Sequence, residues 1–199
     1  MKGVMYWKLV ECTQFMKISN KRLFAENEVF NFYFCTVEDA KGCVVPNYLV
    51  VEPKGLRDDL ISGVGILPVV GEKIGLVKIF RPALRGAFWE IPHGFLGAQE
   101  DEFLACIREL REETGMEVMR SDIKFLATVA PDSGVIGGLV NLYLARGQLP
   151  SSMVQHEIGL EDFNFFNEKE ITELIDAGLL VDSFSLVAIC RFFLDTRKK

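Results

Sequence analysis

Residues 94 to 116, GFLGAQEDEFLACIRELREETGM, constrain this chain more than any other stretch. They hold six acids (Glu100, Asp101, Glu102, Glu109, Glu112, Glu113) and two bases (Arg108, Arg111), a net charge of −4 out of the chain's −6. On an ideal helix turning ~100° per residue, with Glu109 at zero, Glu113 falls near about +40° and Glu112 near about −60°. Leu110, Phe103, Ile107 and Leu104 fall between about 100° and 220°. The spacing predicts an amphipathic helix over 99–114 whose apolar stripe packs on a sheet, with three carboxylates on the nearly opposite side and Gly115 ending it at C′. Like charges four residues apart cost a few tenths of a kcal/mol in an exposed helix, so the cluster calls for a compensating cation. Oxygen donors converging on one spot suit hard divalent cations such as Mg²⁺ or Mn²⁺, and Mg²⁺ is commonly shared between carboxylates and substrate phosphates. The competing reading is a solvated charged face.

The rest of the chain narrows the setting. With 28 acids against 22 lysines and arginines, the charge has the wrong sign for a protein held to nucleic acid by phosphate contacts. A polyphosphate ligand therefore needs a cationic intermediary or a local basic patch. At 199 residues, 49% hydrophobic and 25% charged, the chain belongs with globular domains, as one domain or one with a small appendage. No apolar run approaches the roughly 18 residues of a membrane helix, and the start lacks a long apolar stretch, so a cytoplasmic protein is expected. Five cysteines, odd in number and without a CxxC pair, suit reduced thiols and offer no metal site.

Apolar spacing and turn signals predict strands at 28–38 and 43–52 around Asp39-Ala40-Lys41-Gly42, and a second hairpin at 63–70 and 74–80 around Gly71-Glu72-Lys73. Pro68 places its strand near an edge or bulge. Further strands are expected at 123–130, 138–145 and 161–166, and further helices at 167–177 and 183–195. The pattern is α+β. The predicted division is an N-terminal β region, 1–58, that is not independent, since two or three strands alone are marginal in water, followed by a main domain, 59–199.

Gly94, five residues, Glu100, seven residues, then Arg108-Glu109-Leu110-Arg111-Glu112-Glu113-Thr114-Gly115-Met116 resembles the complete Nudix box, with every fixed position filled. Outside it, Ile79-Phe80-Arg81-Pro82-Ala83-Leu84-Arg85, Trp89-Glu90-Ile91-Pro92-His93-Gly94, Pro131, and the stretch Gly134 to Ala145 resemble the ADP-ribose pyrophosphatase and nucleotide-sugar diphosphatase branch. The resemblance implies an α/β/α sandwich around a mixed sheet, with the box forming a loop-helix-loop that binds Mg²⁺ (or Mn²⁺) at a diphosphate. It implies hydrolysis of ADP-ribose or a related nucleoside diphosphate sugar to a nucleoside monophosphate and a sugar phosphate, by a homodimer.

By that resemblance Glu109 and Glu113 are metal ligands, Glu112 a further ligand or shared carboxylate, and the main-chain oxygen of His93 an additional ligand. Arg108, one turn before Glu112, holds that carboxylate in place. Gly94 lets the backbone approach metal and phosphate. The base that deprotonates the attacking water is Glu157 or Glu161. Arg81 and Glu90 fall where the branch contacts the diphosphate and the nucleotide. Trp7, Phe32 and Trp89 stack on a base or are core. Glu100 is a box position or a first-turn acid, Asp101 and Glu102 first-turn acids complementing the helix dipole. The His93 side chain narrows the phosphate end, binds substrate or points to solvent, and His156 tunes Glu157 or lies on the surface. Other nucleotides (a nucleoside triphosphate, a dinucleoside polyphosphate, NADH) and a non-catalytic nucleotide-sensing module remain the alternatives.

Overall fold

Aromatic and β-branched alternation in the N-terminal part produces an antiparallel meander in the computed structural model, which describes residues 16–97, 99–148 and 158–196. Its strands are β1 (Met16–Glu26), β2 (Phe30–Asp39) and β3 (Val44–Pro53), in that spatial order. The expected β2–β3 turn forms because the Asp39 carboxylate accepts from the amides of Lys41 (2.8 Å) and Cys43 (2.9 Å), and Gly42 takes φ +80°. The segment Asp132–Gly137 belongs to this unit, tied to β3 by Val51 N to Val135 O and Gly137 N to Val51 O, both 2.9 Å. Strand β1 escapes periodicity because it is bulged: Asn20 has φ +53° and the register shifts twice, so polar and apolar residues do not alternate cleanly.

The second unit, Gly55–Pro131 with Gly138 onward, carries the larger sheet. Its elements are β4 (Ile61–Val70), β5 (Lys73–Arg81), β6 (Gly86–Glu90), β7 (His93–Phe95), α1 (Glu102–Thr114), β8 (Ile123–Val129), β9 (Leu139–Arg146), β10 (Leu160–Phe166), α2 (Glu168–Asp176) and α3 (Ser183–Thr196). The strand order is β10-β5-β4-β9-β8, with β6 on β5 and β7 on β4. Only the β4–β9 pair is parallel, so the sheet is mixed. Period-two alternation divides its side chains between two cores. Val64, Ile66, Tyr143 and Ala145 pack with Ala105, Cys106 and Leu110 of α1. Leu67, Val69, Leu142 and Leu144 pack with Ile171 of α2, Leu180, and Ala188, Ile189 and Phe192 of α3. Helices on both faces of the sheet make this unit an α/β/α sandwich.

Pro68 departs from its expected place, since β4 is a central strand. The missing N–H is harmless there for a local reason. Ile66, two residues earlier and so facing the same side, donates to Pro92 O (2.8 Å), and β5 pairs with β4 only from Val69 onward. Strands β6 and β7 were too short for periodicity to register. No helix among the described residues is long and apolar enough to cross a membrane.

Candidate active site

Helix α1 starts and stops as its sequence dictates. The Asp101 side chain caps it, accepting from the amides of Phe103 (3.0 Å) and Leu104 (3.2 Å), and Gly115 closes it at φ +71° with its N–H on Arg111 O. The orientation, however, differs from the helical-wheel expectation. Leu104 is exposed, and the buried arc runs through Ala105, Cys106, Glu109, Leu110, Glu113 and Thr114. Two of the three carboxylates thus share the buried side: Glu109 is 8% and Glu113 4% exposed. Glu112 stays at the open edge, its side chain 45% exposed. A wheel ranks residues by polarity and puts charge outside; here β7 lies over that part of the helix and covers it.

The cover is close. Strand β7 pairs with β4 through Gly63, Val64 and Gly65, and a Cβ on Gly63 would lie 2.7 Å from the carbonyl oxygen of Gly94. A Cβ on Gly94 would in turn overlap the Glu109 carboxylate, with Oε2 at 2.7 Å and Oε1 nearer still. Glycine at 94 is therefore what lets the main chain lie directly on the Glu109 carboxylate.

Arg108 gathers the acids. Its Nε and Nη2 donate to the two oxygens of Glu100 (both 2.9 Å), Nη1 donates to Glu109 Oε1 (2.6 Å) and Glu112 Oε2 (3.3 Å), and Nη2 also reaches Phe95 O (3.2 Å). Glu100, left between two roles by the sequence, is the clamp on this arginine and also accepts from the Gly97 amide (2.9 Å). The Arg108 hydrogen bonds hold its carboxyl below the ordinary value of 4.5. A lowered folded value stabilises the fold above the unfolded pKa, and that stabilisation is lost as pH falls through the folded value. In Glu100→Gln the stability deficit relative to wild type is expected in full above pH 4.5 and shrinks on acidification, read from denaturant unfolding at stepped pH.

Asp101 and Glu102 do more than complement a dipole. Asp101 also pairs with Arg120 (2.9 Å), and Glu102 accepts from Asn141 Nδ2 (2.6 Å) and the Tyr143 hydroxyl (2.5 Å), tying α1 to β9. The Tyr143 phenol is pushed far up by burial and by that hydrogen bond to Glu102. Burial, with Glu102 and Glu109 nearby, likewise pushes the Cys106 thiol far up, so it is no nucleophile.

A second cluster adjoins β7. Arg81, ending β5, donates from Nε to both oxygens of Glu90 (3.2 and 3.0 Å) and from Nη2 to Oε2 (2.6 Å). Glu90 is 2% exposed. The His93 ring is not turned to solvent: Nε2 lies 3.1 Å from Arg81 Nη2, Nδ1 lies 2.9 Å from Ile91 O, and the ring meets Phe184 edge-on. A carbonyl only accepts and a guanidinium only donates, so these contacts match the tautomer with its proton on Nδ1. Consecutive residues of β7 thus touch both clusters, His93 the arginine pair and Gly94 the helix carboxylates. Arg81→Ala would strand a buried Glu90 charge, an expected loss of about 3 kcal/mol, the low end for breaking a buried pair because Arg81 is 30% exposed on its side chain. Urea unfolding checks it.

Other expected residues lie elsewhere. Glu161, on β10, pairs with Lys78 of β5 at 3.0 Å. Trp89 packs edge-on against Phe166 (4.8 Å) and belongs to the core beneath α2 and α3. Phe32, in the N-terminal unit, sits among Phe24 and Phe30. Trp7, His156 and Glu157 lie outside the described residues. Sequence reasoning missed Ser185 of α3, whose hydroxyl accepts from the Ile91 amide at 2.8 Å; no local motif signals a contact across 94 residues.

The donor set suits a hard divalent cation: oxygens only, on one helix, under a main chain that a Cβ would push away. Among the described residues no three His, Cys, Asp or Glu side chains form a ready ligating group. Arg108, anchored on Glu100, bridges Glu109 and Glu112 instead.

The site is thus an acidic helix beneath a glycine-bearing strand, beside an arginine clamp. A NUDIX domain model matches residues 59–173, and the chain belongs to the NUDIX family, as a Nudix hydrolase. It is 33% identical over 132 residues to an ADP-ribose pyrophosphatase of Saccharomyces cerevisiae, covering 63% of this chain and half of the yeast protein. It is 29% identical over 167 residues to an ADP-ribose pyrophosphatase of Bacillus subtilis, covering 83% and 82% of the two chains. It is 30% identical over 134 residues to a methanol dehydrogenase activator of Bacillus methanolicus, covering 64% and 70%. A solved structure of an ADP compounds hydrolase superposes with a TM-score of 0.76 over 93% of this chain and 96% of that one; at 17% identity this likeness speaks for the fold.

Proposed function

We propose that this protein is a Mg²⁺-dependent hydrolase of the diphosphate linkage in ADP-ribose or a related nucleoside diphosphate sugar, releasing a nucleoside monophosphate and a sugar phosphate. The observation that carries the reading is the pair of clusters joined by β7: buried Glu109 and Glu113 with edge Glu112 on one side of Gly94, and the Arg81–Glu90 pair on His93. The similarity to two ADP-ribose pyrophosphatases supports the substrate class.

Glu109, Glu112, Glu113 and the His93 main-chain oxygen are the groups that would hold Mg²⁺, or Mn²⁺ in its place. Bound there, such cations neutralise diphosphate charge and acidify a water. Arg81 offers its planar fork to a phosphate oxygen while Glu90 fixes its orientation and remains an acceptor for the nucleotide. Arg108, anchored on Glu100, keeps Glu112 in place. Water forms a new P–O bond, the bridging P–O bond breaks, and the water's proton passes to a carboxylate: Glu112, or Glu157 or Glu161 of the segment around the start of β10. Trp7 and Phe32 are proposed to contact the base.

The protein is further proposed to be a cytoplasmic homodimer, organised as an N-terminal β region 1–58 and a Nudix domain 59–199. The apolar exposure of the N-terminal sheet supports the dimer: Ile18, Val44 and Val45 are each more than half exposed. Free Cys35, Cys43, Cys106 and Cys190 suit a reducing compartment.

Incubation with ADP-ribose and Mg²⁺, followed by phosphorus NMR, should give AMP and ribose 5-phosphate, with loss of turnover on adding EDTA. A side-by-side panel of nucleotide sugars, nucleoside triphosphates, dinucleoside polyphosphates and NADH decides the substrate. Tight ADP-ribose binding without cleavage under saturating Mg²⁺ would instead identify a nucleotide sensor.

A further inference from the structure

We infer that Ser185, on the first turn of α3, is a positioning residue for this site, acting through the Ile91 peptide. The link between β6 and β7 is only Ile91-Pro92, yet it separates Glu90 from His93 and Gly94 and so sets the spacing of the two clusters. Its main chain is held at three atoms. Ile91 N donates to Ser185 Oγ at 2.8 Å, Ile91 O accepts from His93 Nδ1 at 2.9 Å, and Pro92 O accepts from Ile66 N at 2.8 Å. Ile91 and Ser185 are both fully buried. Along α3 the other buried positions are Ala188, Ile189 and Phe192, so alanine would suit position 185 on packing grounds alone; what the hydroxyl adds is an acceptor for a buried amide. The serine's main chain is fixed in turn: Asp182 Oδ2 accepts from Ser185 N at 3.0 Å. Phe184, the neighbouring residue, packs against the His93 ring at 5.3 Å, so α3 meets the link at both ends.

The inference rests on the proposed diphosphatase reading, and its test is arranged so the two fail separately. Full-length wild type, Ser185→Ala and Ser185→Thr are compared in three measurements: KM for ADP-ribose with Mg²⁺, affinity for α,β-methylene ADP-ribose by calorimetry, and Mn²⁺ affinity by electron paramagnetic resonance. The expected result for alanine is a roughly 10-fold weakening of all three, the smaller end of the loss when an orienting group is removed, with threonine within about 3-fold of wild type. A folded Ser185→Ala protein with a lowered Tm but unchanged KM, analogue affinity and Mn²⁺ affinity shows a merely structural hydroxyl and overturns the inference. Should the alanine variant not fold, Ser185→Cys, which fills the space with a weak acceptor, takes its place with the same outcomes. If wild type cleaves no substrate, the functional proposal falls, while Mn²⁺ affinity still decides the role of Ser185.

Discussion

Glu113→Gln is expected to leave a folded protein whose kcat on ADP-ribose is lower by roughly 10³-fold, the several kcal/mol that a bound cation contributes to charge stabilisation at the transferring phosphorus. The side chain is 4% exposed, so an isosteric amide keeps the packing while removing the charge. Steady-state kinetics across a Mg²⁺ titration, with a Tm for each protein, separates this from unfolding. Glu112→Gln should act in the same direction with less change in Tm, since Glu112 lies at the open edge. Unchanged turnover in both variants would remove the carboxylates from the chemistry.

Gly94→Ala carries the second large effect. The added Cβ overlaps the Glu109 carboxylate, so either β7 lifts or the glutamate leaves its place beside Arg108. Overpacking of this kind costs about 1–3 kcal/mol of stability. A displacement of about 1 Å in a positioned group costs on the order of 10² in rate. Both losses are expected together, in Tm and in kcat. Gly97→Ala is the matched control: a Cβ there meets nothing nearer than Glu100 Oε2 at 3.4 Å, and activity should stay within about 3-fold of wild type. A Gly94→Ala protein as active as the control would mean that main chain and carboxylate need not touch.

Much of this was legible in the residues because the relevant signals are local. Asp101 and Gly115 punctuate α1, Asp39 and Gly42 form the first hairpin turn, and the apolar runs of β4, β8 and β9 lie where periodicity placed them. The spacing from Gly94 to Met116 picks out Glu109 and Glu112, which the fold gathers on Arg108. What periodicity misjudged was which side of α1 faces inward. Leu104 is outside and Glu109 inside because burial there is decided by β7, a three-residue strand held on β4 by small glycines. Pro68 misled in the same way, since the tolerance of a central strand for proline depends on where its neighbour begins to pair. Contacts distant in sequence left no trace at all: Ser185 on Ile91, and Asn141 with Tyr143 on Glu102. Each joins an ordinary polar residue to a partner that only the folded sheet brings near.

The role of the acidic helix is tested most directly by a crystal grown with Mn²⁺ and α,β-methylene ADP-ribose, using anomalous scattering to locate the ions. The expected peaks lie against the carboxylates of Glu109, Glu112 and Glu113, with Arg108 still anchored on Glu100 but released from Glu109, and the diphosphate between the ions and Arg81. Manganese bound elsewhere, with Arg108 still bridging Glu109 and Glu112, would contradict it.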